Sequence, residues 1–150
     1  MKKKIFLTLT ILWTAFIFFN SLQVQEESAQ ASGFFTAIAM RMLGIVGLGD
    51  IDMETLSHIV RKIAHFAEFF IQGVLLLLFA VCITQKYRTA VVHVLFAGLL
   101  TACCDEFIQL FIDGRGSSVG DVFIDFGGTV CAVILILALF FCKKAFTKLN

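Results

Sequence analysis

Arg61-Lys62-Ile63-Ala64-His65-Phe66-Ala67-Glu68-Phe69-Phe70-Ile71-Gln72 decides the fold, because it carries a polar stripe into a long apolar run. At about 3.6 residues per turn, Arg61, His65, Glu68 and Gln72 fall within about 60° of one another on one helix face. An ionised side chain in hydrocarbon costs roughly 2.5–3.5 kcal/mol on insertion scales, so such a stripe has a partner or a task. The pattern recurs twice. Asp105-Glu106-Phe107-Ile108-Gln109 closes a second run of this kind, with Asp105 and Gln109 at i, i+4. Asp113-Gly114-Arg115 follows, and Asp121 and Asp125 then open a third run, again at i, i+4.

Working outward, the 150 residues are 59% hydrophobic, with a mean hydropathy of +0.95, 18 Phe and no Pro. A soluble domain of this size cannot hide that much apolar surface, so lipid must cover it. Four runs approach or exceed the roughly 20 helical residues that cross a bilayer. They are Ile5–Leu22, Ala64–Ile83, Thr89–Ile112 and Asp121–Cys142. The expected fold is all-α: a polytopic membrane bundle of four transmembrane helices in a single domain, residues 1–150. Gly33 to Leu48 is apolar but only about 16 residues long, and is expected to lie in the interface or re-enter rather than span.

Basic residues set the orientation. Lys2–Lys4, Lys86, Arg88, Lys143, Lys144 and Lys148 hold eight of the twelve on one side. Both termini and the Thr84–Thr89 loop are therefore expected in the cytoplasm, and all three polar stripes at the outer face. A cleaved signal peptide ending at Ala29-Gln30-Ala31 is disfavoured: the apolar run exceeds the usual 7–15 residues and stops well short of that site. A net charge of +1 with no basic stripe gives nucleic acid nothing to bind. Cys82, Cys103, Cys104, Cys131 and Cys142 are odd in number and show no metal-ligand spacing, so they read as apolar packing residues. No metal and no cofactor is expected.

Short connections make the second, third and fourth spans antiparallel neighbours, so their stripes can converge. Gly98 and Ala102 continue the face of Asp105, and Gly128 and Ala132 that of Asp125. Small residues let membrane helices approach closely. The candidate acid/base groups are Glu68, Asp105 and His65, with His65 able to share a proton with either carboxylate. Arg61, Lys62 and Arg115 would meet a phosphate or carboxylate at the mouth, with Gln72, Glu106, Gln109, Asp121 and Asp125 beside them. The Gly114-Arg115-Gly116-Ser117-Ser118 loop can offer backbone donors to an anion. The rival account is a polar cluster that only ties three helices together. His93 lies on another face and is given no role.

Arg61 to Phe69 and Asp105 to Arg115 resemble the signature of the VanZ-like membrane family. Asp121-Val122, Asp125 and Gly127-Gly128 are similar to its D-x-x-x-N/D-x-x-G ending, and Asn20-Ser21-Leu22-Gln23 to the end of its first helix. The resemblance spans about Phe16 to Val133. The chain departs at Asp113, where the family usually has Pro, and at Asp125, where Asn is common. The resemblance implies a bacterial cell-envelope protein, its founding member being associated with low-level teicoplanin resistance. It implies no reaction. Three classes stay open: a pocket that binds a lipid-linked or anionic envelope component, an intramembrane acid/base enzyme acting on one, and a small transporter subunit. The last lacks an inverted repeat within the chain, although a homo-oligomer would supply a path.

Overall fold

The structure, a computed structural model, describes residues 1–45, 51–84 and 86–149. Five helices follow in order: α1 Lys2–Ser21, α2 Gln25–Ile45, α3 Met53–Thr84, α4 Tyr87–Gln109 and α5 Val119–Leu149. α1, α3, α4 and most of α5 are long and apolar enough to cross a membrane. No strand occurs among the described residues. The chain is an all-helical membrane bundle.

Two boundaries depart from expectation. α4 stops at Gln109 rather than Ile112: the Phe111 and Ile112 amides reach back to the Ile108 and Gln109 carbonyls, and the chain then turns at Gly114, φ 76°. Only glycine takes that left-handed backbone at no steric cost. The element expected over 33–48 begins eight residues earlier, at Gln25, and runs to Ile45. Residues 46–48 of that expectation, with Gly49 and Asp50, lie outside the described residues.

α3 is the axle, packing against all four other helices, most extensively against α5. Asp52 starts it, its Oδ1 accepting the Thr55 amide at 2.8 Å; hydrogen bonds from Thr55 hold that exposed carboxyl below its ordinary range. At 32 residues α3 is about 48 Å long, well beyond a hydrocarbon core of about 30 Å, so its first turns project past the lipid.

Small residues set the closeness of the contact between α3, α4 and α5. A Cβ on Gly73 would stand 2.9 Å from Ala132 Cβ, and one on Gly98 would stand 2.6 Å from Thr129 Cγ2. One on Gly128 would meet the Phe66 carbonyl and Phe70 amide directly. Thr129 fills the notch these glycines leave, and its hydroxyl donates to the Phe69 carbonyl. Leu77, Ala80, Ala90, Val94 and Val133 form an apolar core in one half of the bundle. Ile17, Phe69 and Ala102 form a second core beneath the polar end, with Trp13, Phe18, Val122 and Phe126 around it. Phe96, Phe123 and Leu139 face outward, where lipid covers them. So do Cys103, Cys104, Cys131 and Cys142, which are exposed rather than packed as the sequence suggests.

Candidate functional site

The end of α1, the first half of α3, the end of α4 and the start of α5 meet at one end of the bundle, and the polar stripes meet with them. Asp105 is wholly buried. Its two oxygens accept hydrogen bonds from the Ser21 hydroxyl of α1 and from Gln109 Nε2, the latter at 2.8 Å. Asp125 is 1% exposed, and its Oδ2 has no hydrogen-bond partner. His65 Nδ1, also unpartnered, stands 4.0 Å from Asp105 Oδ2 and 3.9 Å from Asp125 Oδ1. Three helices thus each contribute one group to a triad.

Glu68 turns away from this triad. Its Oε1 accepts Asn20 Nδ2 at 2.9 Å, its Oε2 is buried without a partner, and its carbonyl accepts Trp13 Nε1. The pairing of His65 with Glu68 that their spacing allows is not formed. Glu106 is nearly buried and accepts the Ser118 amide at 2.9 Å, which fastens the loop over the site. That amide and those of Arg115 and Gly120 are all satisfied within the chain. The loop is thereby less open to an anion than its glycines suggest. Gln72 lines neither of the two cavities at this end: its Nε2 donates to Thr14 Oγ1 and ties α3 to α1.

The rim is cationic. Lys62 Nζ lies 2.6 Å from Asp121 Oδ1 across α3 and α5, both partly exposed. Arg61 bonds the His58 ring, and Arg115 Nη2 donates to the Asn20 carbonyl at 3.2 Å. Burial, then the neighbouring Arg61, pulls the Arg115 guanidinium below its ordinary pKa, though arginine stays charged in proteins.

Two cavities open here. The first, about 310 Å³, is lined by Arg61, Lys62, His65, Glu106, Gln109, Arg115, Asp121 and Asp125, with His58 among others. Asp105 lies just beneath its floor. The second, about 420 Å³, lies between α1, α2 and α3 and is mostly apolar. Phe35 of α2 and Val60, Ile63, Ala64 and Ala67 of α3 form its walls, and Glu68 and Asn20 its polar end. Arg61, His65 and Arg115 belong to both.

The predicted residues are therefore brought together in two groups, one on each side of His65, with Gln72 apart from both. The spacing of polar residues missed the contribution of α1. Trp13, Thr14, Asn20 and Ser21 each bond a predicted residue, yet they are uncharged and scattered in an apolar run. Only the Asn20-Ser21 pair, noted as a likeness, pointed there. His58, one helical turn before Arg61, was also missed.

The family model described as VanZ/LLP1 matches residues 6–141, a stretch that holds every residue of the site. No curated protein and no solved structure matches the chain.

Proposed function

The chain belongs to the VanZ/LLP1 family, and we propose that it acts on a lipid-linked, phosphorylated component of the bacterial envelope, with teicoplanin susceptibility as a readable consequence. The observation that carries this reading is the pair of adjoining cavities, one polar and one mostly apolar, sharing Arg61, His65 and Arg115. An amphiphile needs both: a charged chamber for its head group and an apolar one for the start of its chain.

The rim of Arg61, Lys62 and Arg115 suits phosphate oxygens, to which a guanidinium offers paired donors. The floor has another chemistry. A site that only stored an anion would be opposed by buried carboxylates beneath it, since like charges repel strongly where water is scarce. Carboxylates beside an imidazole suit proton transfer instead. Asp105, His65 and Glu68 are the proposed acid/base groups. Asp125, Glu106, Gln109 and Asp121 surround the head group, and Gln72 supports α3 against α1. In this reading the pocket faces outward and both termini are cytoplasmic, as the basic residues demand.

Two experiments test it. Ser117→Cys and Lys86→Cys on a background without native cysteines should label from outside and not at all, respectively; a labelled Lys86→Cys would invert the topology. Purified chain in nanodiscs, incubated with envelope lipids, should turn over a phosphorylated lipid with a bell-shaped pH profile, as paired acid and base groups require. Stoichiometric, salt-sensitive binding without product would reject catalysis and leave a binding protein. Neither retention nor turnover of any phosphorylated lipid would overturn the reading.

A further inference from the structure

We infer that His65, Asp105 and Asp125 form a binding site for one divalent first-row metal ion at the floor of the polar cavity. Three candidate ligand atoms, one from each residue, all lie within 4.8 Å of one another. Metal–ligand bonds to imidazole nitrogen and carboxylate oxygen run roughly 2.0–2.2 Å. An ion between donors this far apart needs only side-chain adjustments of a few tenths of an ångström.

Spacing alone would be weak ground, and a second observation points the same way. Asp125 is 2% exposed at its side chain, and its Oδ1 is aimed at His65 Nδ1 at 3.9 Å, too long for a hydrogen bond. Its Oδ2 and His65 Nδ1 have no hydrogen-bond partner. Buried polar atoms are normally paired, so two unpaired ones in adjoining side chains of this one cluster point to a ligand that the chain itself does not supply. Two carboxylates deep among membrane helices also need a counter-charge. Asp105 has two neutral donors, Ser21 and Gln109, which orient its carboxylate as an outer shell orients a metal ligand. One nitrogen and two carboxylate oxygens suit manganese, iron or zinc better than a soft ion.

The sequence hides this set, since its members are 40 and 20 residues apart and come from three helices. The ion also reconciles the two chemistries of the cavity. An anionic floor beneath a cationic rim is self-contradictory for a simple ion, but not for a phosphate held by Arg61 and Arg115 with one oxygen on a metal below. That last step rests on the proposed function, and with the ion bound His65 and Asp105 serve as ligands and proton transfer falls to Glu68; the metal site itself does not rest on it.

The test uses the full chain in detergent, stripped with a chelator and titrated with manganese(II) chloride alone. Loss of the free-ion electron paramagnetic resonance signal should give one ion per chain. His65→Gln and Asp125→Ala should each weaken binding at least tenfold. Electron spin echo spectra of protein carrying ¹⁵N-histidine should show a directly bonded imidazole nitrogen. That coupling should vanish in His65→Gln and persist in His58→Gln and His93→Gln, a pattern that misfolding cannot produce. No stoichiometric binding, or binding with the coupling unchanged in His65→Gln, would overturn the site. A bound ion with no lipid turnover would leave the site standing and count against the functional reading. Turnover that survives in the chelator-stripped chain would leave the functional reading standing and overturn the placing of a phosphate oxygen on the ion.

Discussion

The two halves of this bundle use the same helices for opposite ends. Around Leu77, Ala90, Val94 and Val133 the contacts are apolar, the cavity of about 340 Å³ beside them is lined almost wholly by apolar groups, and His93 there bonds the Thr89 carbonyl at 2.7 Å. Around His65 and Asp125 two cavities open, and five buried polar atoms among the described residues lack partners. They are His65 Nδ1, Glu68 Oε2, Gln72 Oε1, Arg115 Nε and Asp125 Oδ2. All five belong to the polar half. A scaffold would be expected to close its own hydrogen bonds. Among the described residues, one half satisfies its buried side-chain polar atoms within the chain and the other does not.

The strongest way to break this comparison is to abolish both halves together. Gly128→Val should do so, because a side chain there meets the Phe66 and Phe70 backbone, which yields only if α3 and α5 part. Folded yield after size-exclusion chromatography should collapse. Recovery of monodisperse Gly128→Val protein would show that the close approach is dispensable.

The next perturbation separates the halves. Leu77→Ala empties part of the apolar core and should lower stability by about 2 kcal/mol or more, as buried leucine truncations do, while turnover per folded molecule stays within twofold. Thermal unfolding in detergent and the nanodisc assay read the two effects. Lost turnover in a folded Leu77→Ala variant would mean the halves are not independent.

The smallest effect belongs to the rim. Lys62 and Asp121 are 47% and 30% exposed at their side chains, and such pairs contribute about 0–1 kcal/mol. Lys62→Ala should leave unfolding within a degree or two of the parent. It should weaken retention of a phosphorylated lipid several-fold at low salt and hardly at all at high salt, where exposed charges are screened. A salt-independent loss would remove Lys62 from electrostatic capture.

Much of this was legible in the residues. Apolar length located the four spans, and helical spacing put Arg61, His65 and Glu68 on one side of α3. The short connections then brought Asp105 and Asp125 to the same end. What spacing cannot give is the rotation of one helix against another. That rotation sent Glu68 toward Asn20 and left His65 facing Asp105 and Asp125. The apolar chamber was invisible for a related reason. Phe35 and Ser32 of α2 help line it, and nothing in an amphipathic segment of ambiguous length says which neighbour it will cover. Ser21 was hidden by its chemistry: one hydroxyl in an apolar run that also holds Thr8, Thr10 and Thr14 reads as filler until a buried carboxylate is seen to accept its hydrogen bond.

Asp125→Asn separates a functional polar end from a scaffold, because it keeps the shape of the side chain and replaces the carboxyl group beside the head group and the inferred ion with a neutral amide. Turnover of phosphorylated envelope lipid in nanodiscs and the thermal midpoint would be measured on the same preparation. Turnover should fall at least a hundredfold, with the midpoint of the chelator-stripped variant equal to or above that of the stripped parent, since Asp125 Oδ2 is buried without a partner there. Undiminished turnover, or a loss of turnover matched by a collapse in stability, would contradict the account and make Asp125 part of a scaffold.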